Sequence, residues 1–270
     1  MRTHLVQLDI RWEDPPANHG RTLELLEHAG VEPGDLIILP EMFAVGFTLN
    51  LDRATDDAGT TRAFLSALAA RFRCTVQGGL AVRPPDDPLA TNRMAIFDGF
   101  SADPPKHLGD YAKVHPFSYG KEPRSFRGGD SLLTYAWSSP TEMLRVCPAV
   151  CYDLRFPELF RQGLRLGAEC FAIGANWPRE RQPHWRALTI ARAIENQAYV
   201  LAVNRAGDDP HLSYAGGSIV VDPRGEVVAE LGPDEGILSA EVAPDAVRGW
   251  RDTFPAWRDH RLLPELGEPL

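Results

Sequence analysis

Three side chains of this sequence are of types that could act together on a carbonyl compound: Glu41, Lys113 and Cys151. A cysteine attacks carbon as its thiolate, and a base must remove its proton because a free thiol has a pKa of about 8.5. A carboxylate in an apolar setting can be that base, since desolvation raises its pKa, and Glu41 directly follows an apolar run. The Lys113 ammonium and the backbone N–H of Tyr152 can hold the charge that develops on the carbonyl oxygen. These residues predict hydrolysis of an amide carbon–nitrogen bond through a thioester.

Polar residues follow three of the apolar runs that predict buried strands. Glu41 follows residues 36–39, Cys151 follows residues 144–150, and Asn176 follows residues 170–175. In α/β sheets, sites form outside the carboxyl ends of the strands. We therefore expect these three side chains to meet, although about 110 and 25 residues separate them along the chain.

The rest of the chain alternates between strand and helix patterns, which predicts an α/β protein. The predicted strands are residues 5–10, 36–39, 75–82, 93–98, 144–150, 170–175, 199–204, 216–221, 227–231 and 237–242, and the predicted helices are residues 21–28, 60–72, 157–166 and 183–197. No repeat, linker or low-complexity segment interrupts them. We interpret residues 1–270 as one domain, with a core of about residues 4–255 and a C-terminal tail of residues 256–270.

The composition argues against several classes of protein. The 270 residues carry a formal net charge of −9, which disfavours a nucleic-acid partner because phosphate backbones attract clustered cations. No apolar run approaches the roughly 18 residues of a membrane span, so no membrane partner is expected. Without a leader pattern after Met1, and with only four cysteines, the chain is predicted to be reduced and cytoplasmic.

The sequence predicts neither a metal nor a cofactor. Cys147 and Cys151 lack the spacing and the second pair of a zinc site, and no glycine-rich phosphate-binding loop is present. Cys74, Cys147 and Cys170 lie in or beside apolar strands, so we expect them to be small core residues.

Three segments, in the order in which they occur, resemble the signatures of the nitrilase or carbon–nitrogen hydrolase superfamily. They are Leu39-Pro40-Glu41-Met42-Phe43, Tyr111-Ala112-Lys113-Val114-His115-Pro116-Phe117 and Val150-Cys151-Tyr152-Asp153-Leu154-Arg155-Phe156-Pro157-Glu158. The resemblance extends from Val6-Gln7 to about Phe254-Pro255 and implies a four-layer α-β-β-α sandwich. It also implies that Glu41 is the base, Lys113 the oxyanion stabiliser and Cys151 the nucleophile. A second active-site glutamate is implied soon after the lysine, and Glu122 matches that place.

Other segments are most similar to the ω-amidase branch of this superfamily, whose members deamidate α-ketoglutaramate and α-ketosuccinamate. These segments are Ala175-Asn176-Trp177-Pro178, Ala191-Arg192-Ala193-Ile194-Glu195-Asn196, Val203-Asn204-Arg205-Ala206-Gly207 and Tyr214-Ala215-Gly216-Gly217-Ser218. The resemblance implies a small-molecule amide substrate, release of ammonia and a homodimer. Gly217 and the segment Pro123-Arg124-Ser125-Phe126 depart from the family pattern, which leaves the substrate open.

Several alternatives stay open at this point. Within the superfamily, the chain could be a deaminated-glutathione amidase or an N-carbamoyl amino acid hydrolase. A non-catalytic scaffold of the same fold is disfavoured because Glu41, Lys113 and Cys151 are all present. An ammonia-channelling glutaminase subunit normally uses a Cys–His–Glu triad, and no histidine stands at a comparable strand end.

The candidates for substrate binding are Tyr152, Asn176, Trp177, Phe117 and Arg181. A guanidinium can bind a carboxylate through two parallel hydrogen bonds, which suits Arg181. For Arg155, a salt bridge to Asp153 or Glu158 is the favoured interpretation. His115 is an alternative base close to Lys113, but we expect it to make a structural hydrogen bond.

Overall fold

The structure is a computed structural model that describes residues 1–261. It includes the predicted core of residues 4–255, whereas residues 262–270 of the predicted tail lie outside the described residues. Twelve strands and six α-helices are described. The strands are β1 (Arg2–Gln7), β2 (Leu36–Ile38), β3 (Thr75–Val82), β4 (Thr91–Asp98), β5 (Lys106–Ala112), β6 (Tyr135–Ser138), β7 (Met143–Val150), β8 (Cys170–Ala175), β9 (Tyr199–Asn204), β10 (Ile219–Val221), β11 (Val227–Glu230) and β12 (Gly236–Glu241). The helices are α1 (Pro15–Glu27), α2 (Leu51–Ala54), α3 (Thr60–Phe72), α4 (Pro157–Arg165), α5 (Gln182–Asn196) and α6 (Pro244–Thr253).

The strands form two six-stranded mixed sheets. The first has the order β12-β1-β2-β3-β4-β5 and the second the order β11-β10-β9-β8-β7-β6. In each sheet three central strands are parallel, β1–β2–β3 in the first and β7–β8–β9 in the second. Every residue of β2, β8 and β9 is buried, which explains their continuous apolar sequences, because each of these strands is covered on both faces.

Three apolar clusters show how the layers pack. One lies between the two sheets and includes Leu5, Ile38, Val146 and Leu201. A second lies between the first sheet and helices α1 and α3, with Leu26 and Leu65 among its members, and a third lies between the second sheet and helices α4 and α5, with Phe160, Trp185 and Ala193. The order of layers is therefore helix, sheet, sheet, helix, and the predicted four-layer α-β-β-α sandwich is confirmed.

The main differences from the sequence prediction concern polar or short elements. Helix α1 begins at Pro15 rather than near residue 21, because Asp14 caps it through Ala17 N and two prolines occupy its first turn. Strands β5 and β6 and helices α2 and α6 were not predicted. Strand β5 is a largely polar edge strand and β6 has only four residues, so neither has a clear apolar pattern. None of the helices within residues 1–261 has the length and apolar character of a membrane span.

Candidate active site

The residues that follow the apolar strands meet in one cavity of about 520 Å³. Glu41, Lys113, Cys151 and Asn176 all line it. The strands that deliver them belong to different sheets, since Glu41 follows β2 and Lys113 follows β5 in the first sheet, whereas Cys151 and Asn176 follow β7 and β8 in the second. The site is thus assembled across the two facing sheets and not along the edge of a single parallel sheet.

Two glycines, one from each sheet, allow the chain at Glu41 to lie close to both. A Cβ atom on Gly79 of β3 would lie 2.6 Å from Glu41 Cα, and one on Gly174 of β8 would lie 3.1 Å from Glu41 N. A side chain at either position would push the Glu41 backbone away. The absence of a side chain at these two glycines therefore leaves room for the Glu41 backbone between the two sheets.

Lys113 lies between two buried carboxylates. Its Nζ donates to Glu41 Oε1 and to Glu122 Oε2, each over 2.8 Å, and the three side chains are at most 1% exposed. Burial alone lowers the pKa of Lys113, but the negative charges of Glu122 and Glu41 outweigh it and raise the pKa above its usual range. The lysine therefore stays an ammonium at the base of the cavity.

Glu41 accepts hydrogen bonds at both of its carboxylate oxygens. Oε1 accepts from Lys113 Nζ and from Asn92 Nδ2 (2.7 Å), and Oε2 accepts from Asn176 N (3.0 Å). Burial opposes ionisation of Glu41, but the Lys113 charge and these hydrogen bonds outweigh it, so the pKa lies below its ordinary value. The expectation that an apolar setting raises the pKa of Glu41 is wrong, because the carboxylate is buried among donors.

Cys151 begins a 3₁₀ helix, Cys151–Arg155, with a backbone φ of +45°. Non-glycine residues rarely adopt this left-handed conformation, and it persists where the surrounding contacts impose it. The Sγ atom lies 3.9 Å from Asn176 O, and Cys151 is a half-buried residue that lines the cavity. Burial, and then the charge of Glu41, raise the pKa of the thiol well above its ordinary value, while Lys113 lowers it. The resting form is a protonated thiol.

Asp153 ties the turn at Cys151 to the segment that carries Lys113. Its carboxylate accepts hydrogen bonds from Val150 N (3.0 Å), Tyr111 OH (2.7 Å) and His115 N (3.0 Å), and it contacts His115 Nδ1 over 2.8 Å. His115 thus makes the structural contact expected of it, and it stacks on Phe156 at 3.8 Å between ring centroids. These contacts join the two sheets beside the nucleophile.

The predicted salt bridge of Arg155 is wrong, because other groups surround Asp153. Within residues 1–261 Arg155 forms no ion pair; its guanidinium lies 4.8 Å from the Trp177 ring centroid and 3.4 Å from His184 Nδ1. It lines the cavity, as does Arg181, whose guanidinium lies 5.8 Å from the centroid of Phe117. Two cations therefore face the space in front of Cys151.

The remaining candidates for substrate binding also line the cavity. Phe117 and Tyr152 pack with their ring centroids 4.9 Å apart, and Trp177 donates from Nε1 to Arg181 O over 2.8 Å. Further lining residues were not singled out as site residues by the sequence analysis: Trp12, Glu13, Phe47, Thr48, Leu49, Asn50, Asp209, His211, Leu212 and Tyr214. They belong to loops, where no periodic pattern marks them.

Asn92, on β4, is the missed residue that is closest to the proposed chemistry. Its Nδ2 donates both to Glu41 Oε1 and to Glu122 Oε1, the latter over 3.1 Å. The only sign of Asn92 in the sequence was its position as a polar residue directly before the predicted strand of residues 93–98.

The chain belongs to the carbon–nitrogen hydrolase family, whose model matches residues 2–252. It is therefore a hydrolase of carbon–nitrogen bonds, and the predicted membership of the nitrilase superfamily is confirmed. Among its relatives, the ω-amidase YafV of Escherichia coli K12 is 33% identical over 96% of both chains. The 2-oxoglutaramate amidase of Bacillus subtilis is 32% identical over 95% of this chain and 96% of its own. The crystal structure of XC1258 from Xanthomonas campestris, a member of the same superfamily with an arsenic adduct in its active site, matches 98% of both chains at 34% identity with a TM-score of 0.87.

Proposed function

We propose that this enzyme is an ω-amidase, which hydrolyses the terminal amide of α-ketoglutaramate or α-ketosuccinamate and releases ammonia. The observation that carries the proposal is the buried set of Glu41, Lys113 and Glu122 beside Cys151, in a cavity that two arginines also line. The relatives named ω-amidase and 2-oxoglutaramate amidase, which match nearly the whole chain, support the same substrate class.

In the proposed reaction, Glu41 takes the Cys151 proton as the thiolate attacks the amide carbon. Since the pKa of the thiol is raised and that of Glu41 is lowered, the transfer is uphill in the resting enzyme and proceeds as the new carbon–sulfur bond forms. The Lys113 ammonium and the Tyr152 N–H hold the oxyanion. Glu41 then returns the proton to the leaving nitrogen, so ammonia departs and a thioester remains.

Hydrolysis of the thioester repeats these steps with water. Glu41 takes a proton from water as the oxygen attacks the thioester carbon, and the oxyanion forms again beside Lys113. Collapse breaks the carbon–sulfur bond, and the proton on Glu41 returns to Cys151. The products are a dicarboxylic acid and ammonia, and the enzyme is restored. Glu122 also accepts hydrogen bonds from the Lys113 ammonium and positions substrate or water through it.

The two arginines support an anionic substrate. Arg155 and Arg181 both line the cavity, where their guanidinium groups can pair with a carboxylate, although Glu13 and Asp209 line it too. The planar guanidinium suits bidentate binding of a carboxylate. We assign the free carboxylate of the monoamide to these arginines and the amide end to Cys151.

We further propose that the enzyme acts in the cytoplasm as a homodimer. The four cysteines are free thiols, three of them buried, which fits a reducing compartment. The homodimer is what the family resemblance implies. Light scattering after size exclusion is expected to give twice the mass of the chain.

Cys151→Ala tests the proposed chemistry. Ammonia release from α-ketoglutaramate is expected to fall at least about 1,000-fold, because no other group can form the thioester. Cys74→Ala is the matched control, since it removes a buried thiol that does not line the cavity and is expected to retain activity. Retained activity in Cys151→Ala contradicts the mechanism.

An amide panel tests the substrate class. The wild type is expected to prefer α-keto acid monoamides over deaminated glutathione and N-carbamoyl amino acids in assays of ammonia release. Turnover of either alternative in preference to α-ketoglutaramate overturns the branch assignment and leaves the chemistry in place. A protein inactive on all of them, with Cys151 unreactive towards iodoacetamide, is the outcome expected of a scaffold.

A further inference from the structure

Asn92 contacts both carboxylates of the candidate site and the chain at the lysine between them. It is 1% exposed. Its Nδ2 donates to Glu41 Oε1 over 2.7 Å and to Glu122 Oε1 over 3.1 Å, and its backbone oxygen accepts from Lys113 N over 2.8 Å. A single residue of β4 therefore connects the two carboxylates and the backbone at Lys113.

The charges of the site determine which end of the Asn92 amide faces the carboxylates. An amide nitrogen carries two donor hydrogens, whereas an amide oxygen can only accept. Glu41 and Glu122 share the single ammonium of Lys113, so the two carboxylates together carry one negative charge more than the lysine neutralises. An oxygen in this place would repel both anions, while the two N–H groups give one hydrogen bond to each.

These contacts also restrict the orientation of Glu41. Oε1 is held by Lys113 and Asn92, and Oε2 is held by the backbone N–H of Asn176. Each oxygen is held by donors of its own, so the carboxylate cannot rotate about its last bond without losing a hydrogen bond.

We propose that Asn92 is a positioning residue of the hydrolytic reaction, which fixes Glu41 and Glu122 through one amide nitrogen and so keeps Glu41 in place beside Lys113 and Cys151. The proposal rests on the proposed function, since it assigns Asn92 to the proton transfers of Glu41. Asn92 touches neither substrate nor the reacting atoms in this role; it acts through the two carboxylates.

Replacement of Asn92 by alanine is expected to lower kcat/KM about 10- to 100-fold, mainly through kcat, because a hydrogen bond to a charged group is lost. The acid limb of the pH profile is expected to move up by about one pH unit, since Glu41 loses a donor that stabilises its ionised form. The other groups that act on Glu41 are unchanged in this variant: Lys113, Glu122, Cys151 and Tyr214.

Asn92→Asp separates the donor from the shape of the side chain. Aspartate has nearly the same outline, but its carboxylate would place a third negative charge against Glu41 and Glu122. Activity at neutral pH is expected to fall further than in Asn92→Ala. Part of it is expected to return in acid, where the new carboxyl is protonated and can donate one hydrogen bond.

Asn196→Ala is the matched control. Asn196 is a fully buried amide at the end of α5 whose Nδ2 donates to Arg192 O over 2.9 Å, away from the cavity. Its loss is expected to lower the melting temperature and to leave kcat and the pH profile unchanged. A wild-type pH profile and kcat in Asn92→Ala, or changes no larger than those in Asn196→Ala, overturn the proposal.

A second measurement needs no substrate. The rate of Cys151 alkylation by iodoacetamide is recorded against pH in the wild type and in Asn92→Ala, or in Asn92→Ser if the alanine variant does not fold, since the shorter serine side chain with its single O–H cannot replace both hydrogen bonds of the amide. The acid inflection of this rate reports the ionisation of Glu41, and it is expected to move up in the variant; an unmoved inflection overturns the proposal. If the wild type is inactive on every amide tested, the proposed function fails while alkylation still decides the role of Asn92.

Discussion

Two regions of the molecule contain a residue of a nucleophilic type beside groups that can transfer or hold a proton. In the candidate site these are Cys151, the Glu41 carboxylate and the Lys113 ammonium that donates to Glu41. On the opposite part of the first sheet, Ser239 Oγ lies 2.8 Å from His4 Nδ1, and His4 Nε2 lies 2.9 Å from Asp35 Oδ2. We call these three residues the His4 cluster. By contacts alone it has the Ser–His–Asp order of a hydrolase triad.

The surroundings of the two regions differ. His4 and Ser239 form a cross-strand pair of β1 and β12, and no member of the His4 cluster lines the cavity that holds Cys151. Cys151 instead has a left-handed backbone and a cavity in front of it that the Lys113 ammonium also lines. The comparison teaches that a hydrogen-bonded series of catalytic residue types is not a site by itself. Space for a substrate and donors for the oxyanion decide the function.

The largest expected effect is that of Glu41→Gln. A glutamine cannot take the Cys151 proton, so kcat/KM for α-ketoglutaramate is expected to fall by about 10²- to 10⁴-fold, the range that general acid–base groups contribute. The melting temperature is expected to change little, because Glu122 still pairs with Lys113. Ammonia release and thermal melting measure the two effects. A variant as active as the wild type would remove Glu41 from the chemistry.

Asp35→Asn is the matching substitution in the His4 cluster, and it is expected to act on stability alone. Asp35 Oδ2 accepts from Glu32 N over 2.8 Å as well as contacting His4. Loss of its charge is expected to lower the free energy of unfolding by about 1–3 kcal/mol at neutral pH. The variant is expected to keep the wild-type kcat/KM. A loss of activity without a loss of stability, compared by urea unfolding and ammonia assays, contradicts this structural role.

The pH dependence of that effect follows from the pKa of Asp35. Burial raises the pKa, but the hydrogen bonds from His4 and from the Glu32 backbone, together with the charge of Arg2, outweigh it, so the folded value lies below the ordinary 3.8. The unfolded chain therefore binds the proton more readily in acid, and the contribution is present above pH 3.8 and lost as pH falls through the folded value. The difference between wild type and Asp35→Asn is expected to shrink below about pH 4.

The sequence predicted the members of the candidate site that stand in short, dense segments, and it missed those placed by pairing between strands. Cys151 and Asn176 could be predicted to meet because they follow neighbouring buried strands. Asn92 could not be placed, because it faces Glu41 only through the register of β4 with β3 and with the polar edge strand β5. The expectation of a raised pKa for Glu41 was wrong for the same reason, because strand pairing and the facing of the two sheets bring donors to its carboxylate.

The smallest expected effect is that of Ser239→Ala. Ser239 is exposed, and its hydroxyl contacts His4 at 2.8 Å, so its removal is expected to lower the free energy of unfolding by no more than about 1 kcal/mol. Ammonia release is expected to be unchanged, and phenylmethylsulfonyl fluoride is expected to leave Ser239 unmodified, as judged by peptide mass analysis. Sulfonylation of Ser239, or an esterase activity lost in Ser239→Ala but kept in Cys151→Ala, would make the His4 cluster a second hydrolytic centre. The outcome decides what makes one region catalytic and the other structural: the hydrogen-bonded series of residue types, or the space for a substrate in front of the nucleophile.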